Sequence, residues 1–182
     1  MESSAVVPMN ESLLLTLAGL GMSFAGFSGL AVTLPTRRDD DRWTPVQLRM
    51  LGLLIGDSFA VLFLALLPLA LSLAGLAVDT IWAVCSGVLG AWLLLADLIA
   101  IRGELRDRSA NRSAENPVAA PVRHAIYAAA FGMGVILCLS AMDLVFRRGQ
   151  FLFVLGLLLL LAFAAVEFLY FLLLVLRGGD ES

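Results

Sequence analysis

The chain has 182 residues, 60% of them hydrophobic and 15% charged, with a mean hydropathy of +0.95 and a net charge of −3. A water-soluble domain of this length cannot bury so much apolar surface, so composition alone directs the chain to a lipid bilayer. All twelve basic residues are arginine and there is no lysine. That bias fits a GC-rich bacterial coding sequence better than selection for guanidinium chemistry.

The leader before the first apolar stretch contains Glu2 and Glu11 and no basic residue. A secretory signal carries a positive n-region, so the expectation is a retained first span. Five apolar stretches follow in order, residues 12–34, 51–78, 80–101, 124–146 and 151–176. Each exceeds the roughly 20 residues that cross a hydrocarbon core at 1.5 Å per residue. The leucine runs at 62–71 and 157–161 lack the two-residue alternation of a membrane barrel, which leaves helices as the way to satisfy backbone groups in lipid. The expected fold is an all-α polytopic bundle in a single membrane domain, with helix one packed in the middle.

Local signals refine the boundaries. Thr44 before Pro45, with Gln47 three positions later, predicts an N-cap and an early start for helix two, and Pro68 predicts a kink within it. Residues 102–123 form the one sizeable polar segment, a loop that includes an extension of helix three. Arg147 to Gln150 leave room only for a tight antiparallel turn before helix five. That last helix, leucine-rich outside Ala164, Ala165 and Glu167, is expected to face mostly lipid.

Ten of the twelve arginines fall in loops 35–50 and 102–123 or at the C-terminal end, and two, Arg147 and Arg148, on the other side. Positive charge is retained on the cytoplasmic side. The sequence therefore places both long loops and the C-terminus in the cytoplasm, the N-terminus outside, and the protein in a bacterial inner membrane.

Embedded acids are expensive in lipid, on the order of 2.5–3.5 kcal/mol for an aspartate at a helix centre, and each needs a reason. Asp143 has one in Arg147 four positions on. Asp57, Asp97 and Glu167 do not: by helix rise all three lie in the inner half of the bilayer, with no arginine at that depth. Clustered, they form a candidate ion or proton site; separately, they are ordinary acids paired by Arg49, Arg102 or Arg123 reaching inward.

In helix one, Gly21, Ala25 and Gly29 form a ladder of small residues, flanked by Gly19, Ser23 and Gly26. Such ladders let helix backbones approach closely where lipid removes the hydrophobic drive, and Ser86, Gly87, Gly90, Gly132 and Gly134 act in the same sense in helices three and four. Trp43, Trp82 and Tyr127, near span ends, are expected as interfacial anchors. Cys85 and Cys138 lie in apolar runs, in no metal or redox spacing.

No P-loop, HExxH or GxSxG pattern occurs, and the single histidine, His124, is at a helix start. Nothing here points to an enzyme, a metal, a cofactor or a nucleic-acid partner. Two functions remain. One is a membrane subunit or scaffold that associates with itself or another membrane protein through the Gly-rich first helix. The other is a small cation or proton channel or transporter built on Asp57, Asp97 and Glu167. They separate on whether those three acids converge on a cavity.

Overall fold

The computed structural model describes residues 10–33, 45–109, 119–144 and 149–177, with some side chains near the helix ends left out. These residues form five helices, α1 (Glu11–Thr33), α2 (Pro45–Leu73), α3 (Val78–Ser109), α4 (Ala119–Ala141) and α5 (Gln150–Arg177). All five are long and apolar enough to cross a membrane. The expected helical bundle is thus present, while Thr44, Trp43, the Arg147–Asp143 pair and the side chains of Arg49 and Arg123 lie outside the described residues.

The helix ends are defined by backbone chemistry. Asn10 caps α1: its Oδ1 accepts from the Leu13 N–H at 3.2 Å and the Ser12 hydroxyl at 2.9 Å. The Asn10 N–H donates to Gln150 Oε1 at 3.2 Å, tying the start of α1 to the start of α5. Helix α2 stops short of the predicted residue 78 in a Schellman motif, with Gly75 at φ 76° and N–H bonds from Gly75 to Ser72 and from Leu76 to Leu71. Helix α4 stops in the same way, well before residue 146. There the left-handed position belongs to Asp143, at φ 62°, with bonds from Asp143 to Ser140 and from Leu144 to Leu139. Asp143 is exposed and outside the helix, so its place follows from the cap and needs no ion pair within the span. At the other end of the bundle, α3 runs on to Ser109, as the polar extension suggested.

Two helix pairs are built on close backbone approach. A Cβ added at Gly21 of α1 would lie 2.9 Å from both the Ser58 carbonyl oxygen and the Leu62 nitrogen of α2. In α3 a Cβ at Gly90 would lie 2.8 Å from the Gly134 carbonyl oxygen and from Cys138 Sγ of α4. The cysteines therefore act in packing, with Cys85 fully buried in the core.

Helix α5 unites the pairs, and the expected central place of α1 is corrected. Helix α1 is not in the middle: it touches α2 and α5 but neither α3 nor α4 among the described residues, and Leu15, Leu20, Met22, Phe27 and Leu30 are exposed on its outer side. Helix α5 touches all four others. Its stripe of Phe153, Leu157, Leu160 and Ala164 is fully buried or nearly so, at the i, i+4, i+7, i+11 spacing of one helix face. Leucine serves a membrane core and a lipid surface equally well, which is why the run gives no warning. The admitting residue is Gly156, whose Cβ would lie 2.8 Å from Leu89 and Leu137 side-chain carbons. Trp82 is also not an interfacial anchor, being buried against Phe153 with ring centroids 5.9 Å apart.

Candidate functional site

Asp57, Asp97 and Glu167 border one cavity of about 340 Å³, enclosed by α2, α3, α4 and α5. In the membrane-length segments, Asp57 lies six residues inside Leu51 and Asp97 six inside Gly103, or roughly 9 Å of helix rise in each case. Since α2 and α3 are joined by a tight turn and run antiparallel, these equal offsets put both carboxyls in one layer. Glu167 reaches that layer from α5, and Tyr127 from the beginning of α4.

The three acids differ in their surroundings. Asp57 is 6% exposed, and its Oδ1 accepts a bond from the Trp92 indole N–H of α3 at 3.3 Å. The indole lies beside Gly56 of α2, where an added Cβ would make an ordinary contact, 3.9 Å from Trp92 Cζ2. Asp97 is also 6% exposed, yet its buried Oδ1 has no hydrogen-bond partner. Glu167, half-buried, likewise leaves Oε2 without one. The expected alternative of inward-reaching arginine is not met by Arg102, whose side chain is exposed.

Most of the cavity wall is apolar. Small side chains at Ala96 and Ala100 of α3 and Ala130 of α4 leave the space, while Leu53, Leu93, Leu160 and Val166 form aliphatic walls. Aromatic rings come from Tyr127, Phe163 and Tyr170. Tyr127, three residues into its membrane-length segment, thus faces the site. Phe163, Glu167 and Tyr170 follow the i, i+4, i+7 spacing of one face of α5. That spacing was legible in the sequence; which helix faced it was not.

The packing ladder divides. Gly21 is buried against α2, Ala25 is half-buried, and Gly29 is exposed with no atom within 4 Å of an added Cβ. Gly19 and Gly26 have the same open surroundings.

Among the described residues, no three His, Cys, Asp or Glu side chains stand close enough together to hold one metal ion. Compared with known proteins, the chain has no significant match to a family model, a curated protein or a solved structure.

Proposed function

We propose that the protein is a cation or proton transporter of the membrane, working through the cavity bordered by Asp57, Asp97 and Glu167. The observation that carries this reading is the meeting of three embedded acids from three helices at one cavity, two of them with a buried oxygen lacking any partner. Ionisable groups inside a membrane bundle are costly, and those that face a shared internal space are placed to bind or relay charge. With the arginine-rich loops on the cytoplasmic side, the cavity lies in the inner half of a bacterial inner membrane.

The test is proton and cation flux in proteoliposomes containing the purified protein, compared with the combined Asp57→Asn, Asp97→Asn, Glu167→Gln variant. Flux in the wild type that disappears in the variant, with insertion unchanged, supports the reading. Equal flux in both, or none from well-inserted wild type, removes it.

A second reading, a subunit or scaffold associating through helix α1, is favoured by one observation. Gly19, Gly26 and Gly29 have open space beside them, on a helix that has neighbours on only part of its surface. A second small-residue helix can approach there closely. The chain's partners on this reading are the lipid and a second copy or another membrane protein.

A further inference from the structure

We propose that the cation taken up by this cavity is a lipophilic organic one, an aromatic or alkyl ammonium or phosphonium, entering between α4 and α5. This rests on the transport reading and names its substrate class.

The walls carry the choice. A dehydrated metal ion needs several oxygen ligands at short distance, and among the described residues no such trio of acidic, His or Cys side chains exists. A proton relay needs closely spaced polar groups, whereas the cavity of about 340 Å³ is lined chiefly by aliphatic and aromatic side chains. That volume falls in the range of pockets that enclose small organic ligands, which combine apolar walls with a few placed polar groups. Here the placed groups are carboxyls. Asp97 is the independent sign of a ligand: its side chain borders the cavity, is more than nine-tenths buried, and leaves Oδ1 without a partner.

A bulky organic cation fits the apolar walls and sets a positive charge beside the unpartnered Asp97 oxygen. Its charge is balanced by Asp97 and Glu167 without the directional bonds a hydrated ion demands. Its alkyl or aryl groups fill the space left by Ala96, Ala100 and Ala130. The rings of Tyr127, Phe163 and Tyr170 add the attraction of an aromatic face for a cation, on the order of 0.5–2 kcal/mol for each well-placed ring. Asp57, already bonded to Trp92, serves as the fixed far wall.

The entry route follows from packing. Helices α4 and α5 make the sparsest contact of the helix pairs that touch. The exposed members of the cavity lining, Val166 and Tyr170, both belong to α5, and Ile126 and Tyr127 of α4 are only partly buried. A lipophilic cation concentrated in the bilayer can reach the carboxyls along this seam without crossing water.

The test measures equilibrium binding of radiolabelled tetraphenylphosphonium, and of the smaller benzyltrimethylammonium, to the purified detergent-solubilised protein. Triphenylphosphine oxide serves as the neutral competitor. Proton and inorganic-cation fluxes in proteoliposomes are measured on the same preparations. The expected result is saturable binding of at least one cation, no displacement by the neutral compound, and a loss of at least about tenfold in affinity on combined Asp97→Asn, Glu167→Gln substitution. Ala130→Phe, which fills the cavity and keeps every carboxyl, should abolish binding while the protein stays monodisperse. Absence of saturable binding of both cations overturns the inference. If acid-dependent flux of protons or inorganic cations, both measured in the proteoliposomes, persists in that case, the transport reading stands without it; if neither flux is present, both fall. Binding unchanged in the double-acid variant overturns the inference as well, because the carboxyls then do not select the ligand.

Discussion

The indole N–H of Trp92 donates to Oδ1 of Asp57 across 3.3 Å, joining α3 to α2 at the depth of the cavity. A hydrogen bond to an acidic group in a low-dielectric interior is worth more than one at a surface, and an acceptor left unpaired there costs about 1–3 kcal/mol. Trp92→Phe keeps an aromatic ring against Gly56 and removes only the donor. It should lower stability by about 1–2 kcal/mol, read as an earlier midpoint in a denaturing-detergent titration followed by circular dichroism. An unchanged midpoint would show that the bond contributes nothing net.

Gly90 and Gly134 set the closest approach of α3 and α4. With a Cβ at Gly90 only 2.8 Å from the Gly134 carbonyl oxygen, Gly90→Ala forces the helices apart and should cost about 1–3 kcal/mol. Gly132→Ala, with open space beside it, is the matched control and should be near neutral. Thermal unfolding of both variants in detergent distinguishes them, and equal midpoints would contradict the close crossing.

The two ends of the ladder on α1 should separate folding from association. Gly21→Leu meets α2 backbone atoms at 2.9 Å and should disrupt the α1–α2 pair itself, lowering the yield of folded protein. At Gly29 an added Cβ has no described atom within 4 Å. Gly29→Leu should leave the monomer intact and reduce any self-association seen by in-membrane crosslinking. A crosslinking yield equal to wild type would count against the scaffold reading.

At the end of α4, Asp143 holds a left-handed backbone conformation at φ 62°. Glycine adopts that conformation freely, so Asp143→Gly should raise stability by a few tenths to about 1 kcal/mol, and Asp143→Val should lower it by about 1–2 kcal/mol. The order Gly above Asp above Val in unfolding midpoint is the check. A reversed order would mean that the carboxyl makes a larger contribution than the backbone.

The five helices were legible because apolar length is a one-dimensional property: a segment long enough to span lipid announces itself without reference to its neighbours. Helix rise alone grouped Asp57, Asp97 and Glu167 at similar distances from their helix ends, and all three border one cavity. Direction around each helix was not legible, because in lipid the core face and the outer face are both apolar and no hydrophobic contrast marks them. That is why nothing in the α5 run marked the stripe of Phe153 and Leu157, which are fully buried. Trp82 was misplaced for a related reason, since an aromatic ring near a helix end suits an interface or a core. Small residues were a partial guide: Gly21, Gly90 and Gly134 make close contacts, whereas Gly29 and Gly132, picked out on the same ground, have no described atom within 4 Å of an added Cβ.

The order of the helices along the chain has a consequence for how the protein is made. The α1–α2 and α3–α4 hairpins leave the ribosome first, and each can close on its own glycine contact while the rest is still being synthesised. The helix that touches all the others comes after them. Until α5 arrives, the compartment holding Asp57 and Asp97 lacks one wall, and two costly carboxyls border an incomplete space within the bilayer. Arrival of α5, which brings Leu160, Phe163, Val166, Glu167 and Tyr170 to the cavity, therefore completes that wall in one step.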